Sequence, residues 1–283
     1  MKSRSGEVPY ETICGNRRFV WGLRTYIMGV VNVSHDSFSG DGVRDVSTAV
    51  AQAQRFVEEG ADIIDIGGQS TRAIEGNPKY ARISEDDELR RVIPVLESLV
   101  PRIAIPISVD TYKPQVARHA LEAGASMLND IWGLRFDLAM AELAALHQTP
   151  MVLMHNQDRV LYSDLLSEVK ESLKQSICKA KQVGLKDENI IIDPGIGFAK
   201  STKDSIEIIR RLNEIKDLGY PILLGPSRKS FIGAVLGLPV DQRLEGSSAT
   251  IALAIANGAD IVRVHDVKAM TRVARMADAV VRS

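Results

Sequence analysis

Little in this 283-residue sequence points to disulfide, zinc or membrane chemistry. Its two cysteines, Cys14 and Cys178, lie far apart and in no metal-binding spacing. The expectation is two reduced thiols in a cytoplasmic protein. No run approaches the ~18 apolar residues of a membrane helix, and the opening Met1–Pro9 is polar, without the apolar core of a secretory signal. No membrane partner is expected. Neither sign of charge dominates: 35 Lys and Arg stand against 36 Asp and Glu, a net charge of -1. A bulk electrostatic nucleic-acid binder is usually strongly basic, so no nucleic-acid partner is expected either. Any anion must be met by local groups rather than a global field. Low-complexity blocks and long Pro/Gly/Ser linkers are absent as well. Hydrophobic residues are abundant, at 45% beside 25% charged, enough for a sizeable core. The length suits either two domains of about 150 residues or one α/β barrel of roughly 250.

A recurring rhythm decides between them. Short apolar runs occupy Ile27–Val33, Asp62–Ile66, Pro106–Val109, Ser126–Leu128, Met151–Met154, Ile190–Ile192, Ile222–Leu224 and Ile261–Val264. Their mean repeat is about 33 residues, the length of a βα unit. Helical patterns fill the intervals: Val46–Glu59, Glu85–Leu99, Pro114–Ala123, Leu138–Leu146, Leu165–Val183, Ser205–Leu212, Gly246–Ala256 and Lys268–Val281. Three links share one phrase, a Gly closing the helix and a strand starting within two residues: Gly60-Ala61, Gly124-Ala125 and Gly258-Ala259. Eight apolar strands, each followed by a helix, predict a closed parallel sheet. The expected fold is a single α/β chain, a (β/α)8 TIM barrel over residues 26–283. Residues 1–25 form an N-terminal extension in which Tyr10–Leu23 reads as a β-hairpin able to close the barrel bottom.

In such a barrel the chemistry sits at the carboxyl ends of the strands. In chain order those ends deliver Asn32, Asp65, Asp110, Asn129 with Asp130, His155, Asp193, the run Ser227-Arg228-Lys229-Ser230, and Arg263 with His265 and Asp266. One Asp after a strand is most often a cap or turn residue, and Asp130 and Asp266 fit that bland reading. Eight populated ends converging on one face do not. The set is rich in Asp and Asn and poor in His and Cys, which suits a flat heterocycle bearing N–H donors better than a zinc site. Singly, an arginine is usually a surface charge. Arg72, Arg228, Lys229 and Arg263, however, follow strands beside Gly, Ser or Thr, a pattern suited to an anion. His119 and His147 fall within helices and read as structural. Two polar, Gly-containing segments, 34–42 and 70–78, have the composition of lids, and equally of plain surface loops.

These blocks together resemble the dihydropteroate synthase family. The likeness is carried by Ile27-Met28-Gly29-Val30-Val31-Asn32-Val33-Ser34-His35-Asp36-Ser37-Phe38-Ser39, by Asp65-Ile66-Gly67-Gly68-Gln69-Ser70-Thr71-Arg72, and by six shorter blocks in the family's order, ending at Val267. The resemblance implies joining 6-hydroxymethyl-7,8-dihydropterin diphosphate to 4-aminobenzoate, giving 7,8-dihydropteroate and diphosphate in folate biosynthesis. By motif it implies that Asp110, Asn129, Asp193 and Lys229 grip the pterin ring while Met154, Phe198 and Arg263 pack on it. Asn32, Arg263 and His265 are implied for the diphosphate, with a Mg2+ ion bridging Asn32 and phosphate oxygens. Phe38, Thr71, Arg72, Phe198, Lys229 and Ser230 are implied around the aminobenzoate, and Asp36 is a candidate for orienting its amine or taking its proton. Catalytic contributions fall to Asp36, Asp110, Asp193, Lys229 and Arg263, and a homodimer through late barrel helices is expected. Loss of diphosphate leaves a cationic methylene on the dihydropterin. Anionic Asp65, Asp110 and Asp193 are expected to face that charge. The arylamine needs no strong base, which accounts for the lack of any Ser/His/Asp or Cys/His arrangement.

The sequence departs from the family pattern in places. His35 stands where Pro is usual, Gln69 where Glu is usual, Ala73 where Pro is usual and Asn156 where Met is common. Proline fixes φ, and position 73 borders the aminobenzoate site, so altered sulfonamide sensitivity is expected. Three rival readings stand: a pterin-dependent methyltransferase, a Schiff-base aldolase on Lys229, and a non-catalytic pterin-binding paralogue. Release of diphosphate that depends on aminobenzoate separates them.

Overall fold

The computed structural model describes residues 10–33, 45–69 and 83–282. Two short antiparallel strands open it, β1 (Glu11–Cys14) and β2 (Arg17–Val20). Eight parallel strands follow: β3 (Tyr26–Asn32), β4 (Ile63–Gly67), β5 (Ile107–Asp110), β6 (Met127–Asp130), β7 (Met151–Met154), β8 (Ile190–Asp193), β9 (Leu223–Leu224) and β10 (Ile261–Val264). They pair in the order β8-β7-β6-β5-β4-β3-β10-β9. A parallel bridge between Ile192 and Ile222 joins the two ends into a nearly closed barrel. The helices are α1 (Val46–Glu58), α2 (Glu85–Leu99), α3 (Pro114–Glu122), α4 (Ala139–His147), α5 (Leu165–Gln182), α6 (Thr202–Arg210), α7 (Leu212–Lys216), α8 (Ser230–Leu236), α9 (Leu244–Ala256) and α10 (Val267–Val281).

The rhythm of apolar runs therefore places all eight strands to within one or two residues. The shared Gly phrase has one physical basis. Gly60, Gly124 and Gly258 all lie in the left-handed region, at φ between 100° and 103°. In each case the following residue returns its N–H to the carbonyl five positions earlier, Ala61 to Phe56, Ala125 to Ala120 and Ala259 to Ala254, all at 2.9 Å. This closure stops the helix and aims the chain into the next strand. One helix differs from expectation. The run read as Ser205–Leu212 starts a turn earlier, because Ser201 and Asp204 form a reciprocal capping box. It ends at Arg210, with Leu212–Lys216 as a separate short helix.

Three apolar regions position the site. The largest lies between strands and helices, where Phe56, Ile64, Leu96, Leu128 and Leu153 are fully or almost fully buried. A second fills the barrel bottom: Cys14, Phe19 and Trp21 of the hairpin region pack on Tyr26, Met28, Ile63, Met127, Val152, Ile191, Leu223 and Ile261. The hairpin is tied there by Thr12 Oγ1 donating to the Glu188 carbonyl (2.6 Å) and Trp21 Nε1 donating to Thr12 Oγ1 (3.0 Å). The third region, at the opposite end, comprises Ile131, Trp132, Met154 and Phe198. Cys14 is a buried free thiol that burial pushes up to about 12, and Cys178 is free and exposed. Among the described residues no helix is long and apolar enough to cross a membrane.

Candidate active site

Parallel strands of a barrel end on one rim, so the polar residues closing each strand are brought together. Asn129, Met154, Asp193, Phe198, Lys229 and Arg263 line one cleft, joined by Ile131, Ile196 and Gly225. The last three are hydrophobic or without a side chain, and nothing in their residue type marked them out in sequence. Asp110 enters through Arg263. The Arg263 guanidinium donates from Nη2 to Asp110 Oδ2 (2.8 Å) and from Nε to Asp65 Oδ2 (2.6 Å). Asp65 also accepts from Asn129 Nδ2 (3.3 Å) and is fully buried. Asp65 was expected to face a cationic transition state; in the structure it bonds two residues of the cleft, Arg263 and Asn129.

The electrostatics follow from burial. Asp110 and Asp193 are raised from the ordinary carboxylate range, to about 7 and about 6, by burial above all. Arg263 is the main opposing influence at Asp110, while nearby Asp65 and Glu88 add to the rise. At Asp193 the opposing influences are the Gly195 N–H donated to Oδ1 (2.7 Å), then Lys229, Lys200 and Arg263. Buried carboxylates of this kind are stabilised in the charged form by a ligand that brings N–H donors. On the apolar side, Lys229 Nζ sits 3.8 Å from the centroid of the Phe198 ring, a cation–π contact. The cleft thus presents acceptors at one edge and apolar surface flanked by cations on the other, the arrangement a flat, N–H-bearing ring requires.

The remaining expected residues fall at the rim. Asn32 closes β3, and a Cβ at Gly67 would make ordinary contact with both its Oδ1 (3.7 Å) and Asp110 Cβ (3.6 Å), so the two side chains flank Gly67. His265 follows β10, with Nδ1 3.0 Å from Ser227 Oγ, which also accepts the His265 backbone N–H (3.2 Å). Ser230 is exposed at the first turn of α8. Arg228 has a left-handed backbone (φ 59°) and forms a fork with Asp266, Nη2 to Oδ1 at 2.6 Å and Nε to Oδ2 at 3.0 Å. Asp266 is thus an arginine partner, and it gives α10 no side-chain cap. Asp130 has the bland role, accepting the backbone N–H groups of Trp132 and Leu134, both at 2.8 Å. Asp36, Phe38, Thr71, Arg72 and Ala73 lie outside the described residues.

Two buried lysines were not signalled in sequence. Lys113 donates from Nζ to Glu88 Oε2 (2.6 Å), the Ile83 carbonyl (2.8 Å) and Gln69 Oε1 (3.1 Å). Lys200 donates to His155 Nδ1 (2.8 Å) and the Phe198 carbonyl (3.1 Å). Lysine is so commonly a surface residue that only tertiary context distinguishes these. A larger groove, lined by Trp132, Arg135, Asn156, Glu168 and Lys179 among others, lies beside α5. Of the expected strand-end residues it takes only His155, so the chemistry belongs to the smaller cleft.

Among the described residues no cluster of three or more His, Cys, Asp or Glu is disposed to hold a metal ion. That does not conflict with magnesium. This ion keeps several waters and is commonly held by one or two protein oxygens together with substrate phosphates. The amide oxygen of Asn32 is a hard ligand of that kind, placed at the strand-end rim.

Comparison with known proteins agrees with this geometry. The family model described as "Pterin binding enzyme" matches residues 28–265. Dihydropteroate synthase of Clostridium beijerinckii is 48% identical over 270 residues, covering 95% of this chain and 98% of that protein. The crystal structure of dihydropteroate synthase from Clostridium difficile in the presence of pteroic acid is 49% identical, with a TM-score of 0.87 over 94% of this chain and all of that one. The Xanthomonas albilineans enzyme with 4-aminobenzoic acid is 42% identical, with a TM-score of 0.88 over 96% and 98% of the two chains.

Proposed function

The chain belongs to the dihydropteroate synthase family of pterin-binding enzymes, and on that premise we propose how its residues divide the reaction. The reaction is the condensation of 6-hydroxymethyl-7,8-dihydropterin diphosphate with 4-aminobenzoate. The bond from the methylene carbon to the diphosphate oxygen breaks, the arylamine nitrogen bonds to that carbon, and the amine loses a proton. Asp110, Asn129 and Asp193 accept from and position the pterin ring, Lys229 donates to it, and Met154, Phe198 and the Arg263 guanidinium pack against it. Anionic Asp110 and Asp193 stabilise the positive charge that develops on the methylene as the leaving group departs. Arg263 and His265 hold the diphosphate. Asn32 is the residue that would hold a magnesium ion there, whose chemistry when bound is to neutralise the leaving oxygens. Phe198, Lys229 and Ser230 frame the aminobenzoate with Phe38, Thr71 and Arg72, and Asp36 orients the amine or takes its proton.

The observation that carries this reading is the convergence of Asn129, Met154, Asp193, Phe198, Lys229 and Arg263 on one cleft. Residues 1–25 serve as an N-terminal extension with the hairpin, and 26–283 as the catalytic barrel. The working form is a cytoplasmic homodimer built on late barrel helices. Exposed apolar side chains support the dimer: Leu253 on α9, and Met276, Val280 and Val281 on α10.

The test is diphosphate release from the dihydropterin diphosphate, with and without 4-aminobenzoate. The expected result is release that requires the amine and falls by about a hundredfold or more in Asp193→Asn and Lys229→Ala, the scale of lost electrostatic stabilisation. Release unaffected by either substitution would remove both residues from the ring site.

A further inference from the structure

The turn between β8 and α6 carries Phe198, and its shape is held from outside. Gly195 has φ 70°, and a Cβ there would come 2.0 Å from the His155 carbonyl oxygen, so the turn lies directly against the chain leaving β7. Within the turn, the Phe198 N–H donates to the Gly195 carbonyl (3.1 Å). Ala199 adopts φ 42°, a left-handed backbone uncommon outside glycine, so contacts around it must compensate for the strain. Tyr162 donates its hydroxyl to the Ala199 carbonyl (3.0 Å). Lys200 then folds back with both of its hydrogen bonds directed at the turn and at β7, to the Phe198 carbonyl and to His155 Nδ1. Lys200 is 8% exposed and His155 4%. Burial, then Lys200 and Arg135, hold His155 far down at about 3, so its imidazole is neutral and Nδ1 is free to accept. Burial lowers Lys200 to about 7, with the nearby charge of Asp193 opposing that shift, so holding its amine here is costly, and its two hydrogen-bond partners are the Phe198 carbonyl and His155 Nδ1. The division of labour proposed above gives neither residue a part.

We propose that Lys200 is a positioning residue: by bonding the Phe198 carbonyl and His155 Nδ1 together it pins the 195–200 turn to the end of β7. It thereby sets the Phe198 ring, and the Lys229 ammonium over it, at the geometry the pterin ring needs. This rests on the reading that the cleft holds a pterin. The Asp193 carboxylate is tied to the same turn through the Gly195 N–H, so a loosened turn disturbs one acceptor as well as the stacking surface. The diphosphate rim, built from other strands, is left alone.

The experiment is equilibrium titration of the full chain with pteroic acid, alongside inhibition of turnover by inorganic diphosphate. The chains compared are wild type, Lys200→Met, His155→Leu, the double variant and His155→Asn, whose amide oxygen can stand near the position of Nδ1. The expected result is pteroic acid binding weakened about tenfold in each single variant, the scale of one or two hydrogen bonds. In the double variant the loss stays about tenfold rather than multiplying, because both changes break one link. His155→Asn recovers binding to within about threefold of wild type, and diphosphate inhibition changes by less than about twofold throughout. Unchanged pteroic acid binding in Lys200→Met overturns the proposal. So does a multiplicative loss in the double variant, or equal weakening toward both ligands. Where Lys200→Met fails to fold, the contrast between His155→Leu and His155→Asn decides. A wild-type chain that turns over but shows no effect of these variants refutes the positioning role alone, whereas one that neither binds pteroic acid nor turns over refutes the pterin reading beneath it.

Discussion

Arg263 binds two carboxylates with one guanidinium, and the consequence reaches pH behaviour. Asp110 and Asp193, pushed up to about 7 and about 6 by burial, hold protons in the ligand-free fold at pH values where the unfolded chain has released them. The folded state therefore binds more protons between about pH 4 and pH 7, and the contribution of these groups to stability falls as pH rises through that window. Ligand binding has the opposite sign, because a ring with N–H donors selects the ionised carboxylates. Pteroic acid is expected to bind several-fold more tightly at about pH 7.5 than at about pH 5.5. Asp193→Asn should flatten that dependence, which a fluorescence titration at several pH values measures. Lys113 makes a second case at this scale. Its partner Glu88 is 1% exposed, so Lys113→Met leaves a buried charge unpaired, at an expected cost of about 3–5 kcal/mol in denaturant unfolding. Replacing Glu88 as well, with Leu, should recover most of that loss. Neither lysine announces itself in the sequence. The carboxylates do, because they close strands whose period was already visible.

At the level of elements, the hairpin does for the barrel bottom what loops do for the rim. Phe19 and Trp21 stack with ring centroids 5.8 Å apart, and both meet Tyr26 edge-on, at 4.8 and 5.5 Å. The hairpin thus fills the end of the barrel with aromatic surface that strands alone cannot supply. Trp21→Ala removes a side chain 7% exposed together with its bond to Thr12. The expected loss is about 3–5 kcal/mol, read as an earlier denaturant midpoint, with turnover per folded molecule retained because the site lies at the other end. The strand and helix boundaries were readable because helix ends carry local chemistry, Gly in three αβ turns and Pro114 at the first turn of α3. The start of α6 lies one turn before the expected Ser205 because the apolar residues begin only at Ile206, while the capping box sits at Ser201 and Asp204.

For the whole molecule, the barrel's closure is a long-range property. The first and last strands of the barrel, β3 and β10, pair with Tyr26 opposite Ile261, 235 positions apart, while the Ile192–Ile222 bridge spans 30 positions and the ladder is shortest at β9. Outside the barrel, α9 and α10 pack side by side and expose Leu253, Met276 and Val280, each about two-thirds accessible or a little less. Leu253→Glu puts a charge into that surface. If a second copy covers it, sedimentation equilibrium should show a shift from dimer to monomer with the circular dichroism spectrum unchanged. An unchanged dimer would remove Leu253 from the interface.

The barrel, its eight units and the order in which polar residues reach the rim are written in local patterns, because the strand and helix periods recur in each of eight units and a shared Gly turn closes three of them. The sequence also carried the family likeness, since the motifs lie along those same strand ends. Which rim residues line the cleft and which bond to them from outside it depends instead on packing across the barrel. Asp65 and Asp110 look alike as the last acidic residues of neighbouring strands, yet only the first, fully buried, bonds Asn129 as well as the Arg263 guanidinium that both share. Lys113 and Lys200 look like surface lysines, yet both are buried. Those assignments depend on distances between residues dozens of positions apart, set by how the strands coil and the turns pack, and no local pattern encodes them.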